Sequence, residues 1–260
     1  MSISNNTIYL GWGQDKAVTT DQRHPLGTRG ELPDGSVFYY SKAGEAIGAG
    51  QLTMQKAGVA LHDMDLALQT AAAVGDQSIA VTLGATAATI DQYGDGTIYV
   101  NDGPGEGHRY HIKTAGVGGT AGQAHAAVAS AGTLTAFLND NEQVREAMTT
   151  AASLLGLMEN PYSDVEIFDA NDIDGPALGV APTEIADNEF FWNQTAGDAA
   201  CLMDATTFVL GSAVEASSSV DGAVTLHDVS ANTDREALGT VQLIVAASGD
   251  SGMVKLSIRP

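Results

Sequence analysis

Between Ser78 and Ile112 apolar and polar positions alternate in three short runs: Ile79 to Leu83, Thr97 to Val100 and His108 to Ile112. Gly94-Asp95-Gly96 and the glycine-rich segment from Asn101 to Gly107 separate them. A period of two sends successive side chains to opposite faces of an extended strand, and Gly, Asn and Asp supply the backbone angles of tight turns. The pattern predicts a β-meander at the centre of the chain. Further strands are expected at Ser36 to Ser41, after the turn Pro33-Asp34-Gly35, at Gly132 to Leu138 and at Asp164 to Phe168. Three regular runs close the chain: Gly222 to His227, Leu238 to Ala246 and Met253 to Ile258.

Helical spacing occurs once. Asn139 and Asp140 offer N-caps with Glu142 and Gln143 three positions on, and Val144, Ala147, Met148, Ala151 and Leu155 repeat at helical intervals, so one short helix is predicted near 140–155. Between 54 and 74 the period does not decide, and extended or irregular structure is expected. The small-residue stretch from Thr114 to Gly132 reads as a long loop, too poor in large apolar groups to make a core. Phe38-Tyr39-Tyr40 and Phe190-Phe191-Trp192 occupy corresponding places in two similar phrases, each followed by an Ala-Gly-acidic-Ala tetrad, which reads as a weak internal repeat. It implies two similar β-units, or one unit interrupted by the central meander.

The expected fold class is mainly β, with multi-domain antiparallel barrel or sandwich units and the one short helix. The expected organisation is an extended N-terminal arm over 1–25, an N-terminal β-unit over 26–60 able to pair with the C-terminal one, a central β-domain over 61–162 and a C-terminal β-domain over 163–260.

Composition agrees with strands of small residues joined by many turns. The chain has 260 residues, 30 of them glycine, with 6% aromatics and 44% hydrophobics, enough apolar material to fold rather than remain disordered. Lys and Arg number 11 against 32 Asp and Glu, a formal charge of -21. Phosphate recognition needs clustered cations, so nucleic acid and anionic membrane are excluded as expected partners, and a basic protein partner or a saline environment suits the balance. Cys201 alone cannot form an intramolecular disulfide and reads as a small buried hydrophobe. The first residues lack a basic stretch followed by an apolar core, and no later run reaches the length of a membrane span, so a soluble, non-secreted product is expected.

Candidate chemistry is sparse. His108 and His111 would point to opposite faces of a strand and cannot share a metal. Asp91 and Asp95, or Asp172 and Asp174, could take an adventitious Ca²⁺, but Tyr93 and Ala170 break the calcium-loop template and both clusters read better as turns. Gly103 to Gly107 lacks the Lys-Ser/Thr ending of a phosphate loop. Neither a Gly-x-Ser-x-Gly elbow nor a cysteine nucleophile context occurs. No catalytic residue, metal ligand or cofactor-binding residue is assigned, and no cofactor is expected. Tyr9, Trp12, Glu106, His108 and His111 are the candidates for partner contact.

Two phrases carry a resemblance. LGATAATIDQYGDGTIYVNDGPGEGHRYHI, followed downstream by ENPYSDVEI, resembles a recurrent pattern in virion proteins of tailed bacteriophages encoded beside the major capsid protein. The section from Gly179 to Ile258 is similar to the β-rich capsid decoration, or cement, proteins of that class. The resemblance implies a noncatalytic protein, made in the host cytoplasm, that binds the outer surface of an icosahedral shell and stabilises contacts between capsomers. Its implied partners are the major capsid protein and further copies of itself, as a trimer. The alternative is a carbohydrate-binding β-sandwich module, tail-associated or on a cell surface, with a hydrolase third.

Overall fold

The computed structural model describes residues 7–116, 121–172, 175–204, 208–228, 235–243 and 249–258. The chain is mainly β and antiparallel, and among the described residues its only helical turn is a 3-10 turn at Gln14–Lys16. It opens with β1 (Ile8–Tyr9), β2 (Arg29–Glu31), β3 (Val37–Lys42) and β4 (Leu52–Gln55). Then come β5 (Leu66–Ala67), β6 (Ser78–Thr82), β7 (Thr97–Asp102), β8 (Arg109–His111), β9 (Thr133–Phe137) and β10 (Leu154–Met158). It closes with β11 (Val165–Ile167), β12 (Ala177–Val180), β13 (Phe190–Leu202), β14 (Ala213–Ala216), β15 (Val224–Leu226), β16 (Gly239–Leu243) and β17 (Ser251–Ser257). Two compact units result: residues 1–20, 27–57 and 162–260 form the first, and residues 21–26 and 58–161 the second.

In the first unit β13 is the spine. Over its 13 residues it pairs with β3 along one half, Trp192 opposite Tyr40, and with β17 along the other, Ala199 opposite Val254. The two aromatic phrases are therefore neighbouring strands of one sheet and not two separate modules. The Tyr40 ring stacks on Phe190 at 5.9 Å and meets Trp192 edge-on at 5.1 Å. Below the other half of β13, Leu52, Met54, Val214, Val224, Val241 and Val254 pack with Ala199 and Cys201 into one core. Each large aliphatic so buried contributes about 1.5–3 kcal/mol. Cys201 sits in that core, and burial pushes its thiol up to about 12.

The second unit has two sheets, β5-β10-β7-β8 and β6-β9. Single bridges at Leu68–Val81 and Ile112–Leu138 stitch their edges together. Ile98, Val100, Tyr110 and Leu155 from one sheet and Ile79, Val81, Leu134 and Ala136 from the other share a single core, the arrangement of a small sandwich. The expected meander is corrected here: β7 and β8 form a hairpin, but β6 pairs with β9 and lies in the other sheet. Alternation sets which face of a strand is buried, and says nothing about which strand it pairs with.

The helix expected near 140–155 is also corrected. Val144 and Met148 are buried, but Ala147 and Ala151 are exposed, and the segment runs extended into β10. Val144 exchanges backbone bonds with the Gly75–Asp76 turn, and Met148 with Ala72. The spacing of four separates two contact points of an extended chain, not one helical face.

That arrangement recurs. Ile47 pairs with Ile185, Ala72 with Met148 and Ala88 with Val128, each through one isolated bridge with both backbone bonds made. From five of these six residues the third position on has positive φ: Gly50, Gly75, Asp91, Ala131 and Asn188. Glycine, or a short polar side chain, carries that conformation at least cost. In four of them the next side chain reaches back to accept the N–H just after the bridge: Gln51 from Gly48 at 2.5 Å, Asp76 from Ala73 at 2.8 Å, Gln92 from Thr89 at 2.9 Å and Glu189 from Ala186 at 2.9 Å. The turn satisfies its own backbone and then releases the chain into a strand.

Candidate functional site

The N-terminal candidates sit on an ordered stretch of the first unit. β1 runs parallel to β2, with Tyr9 opposite Glu31, and the Leu10 N–H donates to the Glu31 carbonyl at 2.8 Å. Leu10 is buried while Tyr9 is 81% exposed. Trp12 follows between two glycines. The Gly11 N–H donates to Oε1 of Gln14 at 2.6 Å and the Gly13 N–H to Oδ1 of Asp15 at 3.0 Å, and the 3-10 turn closes the loop. Side chain and backbone together thus hold an indole that is 70% exposed. A large aromatic presented at low entropic cost is the usual form of an interface anchor.

Beside Trp12 lies a half-open cleft of about 420 Å³. Leu32, Phe38, Val180 and Met253 give it an apolar lining, and Asp15, Lys16, Asp34 and Asp198 bring charge to it. These groups come from the first loop, β2–β3, β12, β13 and β17.

Glu106, His108 and His111 belong to the second unit. Glu106 is exposed in the glycine turn, where φ is positive at Gly103, Gly105 and Gly107. At Gly103 a Cβ would also fall 2.1 Å from the Ala152 carbonyl oxygen, so glycine is needed there, and the N–H groups of Gly103, Glu106, Gly107 and His108 are donated within the hairpin rather than gathered toward an anion. His108 is half-buried, with Nδ1 3.1 Å from Oη of Tyr110 and Nε2 3.8 Å from Oε2 of Glu146. His111 is exposed on the other face of β8 with Arg109. The structure does not bring the two imidazoles together.

Of the carboxylates considered for Ca²⁺, Asp91 and Asp95 are taken up by donors. Asp91 accepts the N–H groups of Gly122 at 2.5 Å, Ala124 at 2.9 Å and His125 at 3.3 Å. Asp95 accepts Nε2 of Gln22 at 3.0 Å and the Leu26 N–H at 3.1 Å, and burial raises its pKa against the pull of these bonds. Asp172 is exposed and its N–H donates to Asp169, whose pKa is lowered by the N–H groups of Asn171 and Asp172; Asp174 lies outside the described residues. Among the described residues no group of three or more His, Cys, Asp or Glu is placed to hold a metal ion.

One cluster has no counterpart in the sequence reading. His62, Tyr93 and His125 are buried together in the second unit. Nε2 of His62 lies 2.9 Å from the Thr86 carbonyl and therefore carries the proton, which leaves Nδ1 to accept the Tyr93 hydroxyl at 2.5 Å. Nδ1 of His125 donates to the Ala126 carbonyl at 2.8 Å, and Nε2 accepts the Tyr93 N–H at 3.0 Å. The His125 ring, which accepts a backbone N–H, is held neutral in one tautomer, and the His62 ring is tied at both nitrogens. Burial lowers the His125 pKa, and burial, then the charges of Glu159 and Asp63, hold the Tyr93 hydroxyl far above its ordinary value. The loop expected to contribute nothing to a core supplies both His125 and the buried Ala124. Its two residues carry no periodic signal that marks them.

Compared with protein-family models, with curated proteins and with solved structures, the chain has no match.

Proposed function

We propose that this chain is a noncatalytic decoration protein of a tailed-phage head, binding the outer surface of the capsid and stabilising contacts between capsomers. The major capsid protein and further copies of the chain, as a trimer, are its partners. The observation that carries the reading is the pair Tyr9 and Trp12, two largely exposed aromatics on a backbone pinned by strand pairing and side-chain bonds. An aromatic that is ordered yet uncovered fits a surface that a partner covers. Turn-rich strands and a charge of -21 suit a rigid, soluble clamp for a basic surface.

Particles assembled without the protein are expected to open at lower temperature and in low salt, and purified protein added back should restore them. Trp12→Ala should weaken retention on the shell more than it lowers the melting temperature of the free protein. Particles equally stable without the protein, or specific binding to members of a glycan array, would overturn the reading.

A further inference from the structure

We infer that the cleft beside Trp12 receives a basic side chain, an arginine guanidinium or a lysine ammonium, projecting from a partner protein. The inference rests on reading this face as a partner-binding surface and adds the chemistry of what it binds. Gln194 carries the argument. Its side chain lines the cleft and is only 6% exposed. Nε2 donates to the carbonyl oxygens of Asp198 at 3.0 Å and Ala196 at 3.4 Å. Two carbonyl acceptors can be met only by the NH₂ end of the amide, so its orientation is settled by its partners. Oε1 is left over, and among the described residues nothing donates to it.

The other polar groups of the cleft have the same bias. Asp34 uses Oδ1 to accept the Ser36 N–H at 2.9 Å and Asp15 uses Oδ1 for the Gly13 N–H, each keeping a second carboxylate oxygen. Asp198 is exposed, and among the described residues its carboxylate makes no hydrogen bond or ion pair. The Trp12 indole adds a π face, which attracts a cation within about 6 Å of the ring. Against three carboxylates stands one cation, Lys16, exposed and without an ion-pair partner among the described residues. A neutral sugar could stack on the indole, but it brings acceptors as well as donors, and beyond Lys16 the side chains of the cleft offer such acceptors only the Trp12 indole N–H and the hydroxyls of Ser36 and Ser251, against three carboxylates and the Gln194 Oε1 that accept. A guanidinium brings donors alone. The field of a chain with charge -21 draws it in the same direction.

The test is an NMR titration of the full chain with acetyl-Gly-Arg-Gly-amide and with its citrulline analogue, which has the same shape and no charge. The arginine peptide should move the Trp12 indole N–H and the Gln194 carboxamide resonances to saturation, and the citrulline peptide should leave them in place. The double variant Asp34→Asn/Asp198→Asn should weaken binding about tenfold, from two partly exposed charge contacts. Asp63→Asn/Asp187→Asn, an equal charge change outside the cleft, should change it by less than about twofold. Lys16→Gln should tighten binding by about twofold. Equal shifts with citrulline, equal weakening by both double variants, or saturation of the same resonances by maltose and not by the arginine peptide would each overturn the inference. Particle stability is measured separately, so failure here leaves the decoration reading standing, and failure there leaves the peptide result as it is.

Discussion

The two units build β cores by different means. The first is organised along one strand: β13 carries the ladder to β3 and to β17, and the aromatic and aliphatic parts of the unit lie along its successive halves. In the second no strand among the described residues exceeds six residues, and cohesion comes from a shared side-chain core, two edge stitches and a buried imidazole-phenol network. One unit depends on a continuous backbone element. The other depends on many short contacts and on keeping the buried His125 neutral.

The largest break in that contrast is a proline in the spine. Ala199→Pro should cost the first unit about 3 kcal/mol or more, since it removes a donor from the middle of the β13–β17 ladder and forces a ring into the spine opposite Val254. Hydrogen exchange should then accelerate in β3, β16 and β17 together; acceleration confined to residues around 199 would mean that β13 is not the organising element. In the second unit the matching change is chemical. Tyr93→Phe keeps the ring and strands Nδ1 of His62 without a donor, at a cost of about 1–3 kcal/mol in urea unfolding. A loss no larger than that of an exposed Tyr→Phe change would show that the network adds nothing.

The same unit should respond to acid. Burial lowers the folded-state pKa of His125 and of His24, so below about 6.5 the unfolded chain takes up protons that the folded unit refuses. Stability is fully present above that value and falls as pH drops toward the lowered folded values, by at most about 1.4 kcal/mol per pH unit for each histidine. Asp95, whose pKa burial raises, works against the loss as it takes up its own proton. Urea midpoints of second-unit amides between pH 7 and 5 measure this, and His125→Gln should flatten the slope whatever its own stability. The smallest effect tests the recurring turn. Ala131 holds φ at 55° where other copies have Gly, Asp or Asn, so Ala131→Gly should stabilise the unit by about 1 kcal/mol in thermal melts.

Much of the strand content was legible because alternation and turn residues are local. Runs such as Thr97 to Val100 and Met253 to Ile258 fall on β7 and β17. Pairing was less legible. The same aromatic phrases that read as a repeat lie side by side on β3 and β13, because a repeat and a ladder both call for similar residues at similar spacing. Val144 and Met148 imitated a helix because the bridge-turn segments also bring an apolar residue inward every four positions. Of the candidate residues, Tyr9 and Trp12 stood out as isolated aromatics in a polar segment. Gln194 and His125 did not, since the meaning of each depends on carbonyls and N–H groups that only the folded chain brings near.

The bridge-turn has one more consequence. Its second residue after the bridge is Ala49, Val74, Ile90, Ser130 or Asp187 in the five copies with positive φ, and all five are exposed. Backbone bonds hold each loop and, in four of them, a side chain two positions further on does so as well, while the tip residue itself holds nothing. Mutational drift can therefore rewrite these tips from methyl to branched alkyl to hydroxyl to carboxylate and alter what the protein displays outward without disturbing the strands beneath.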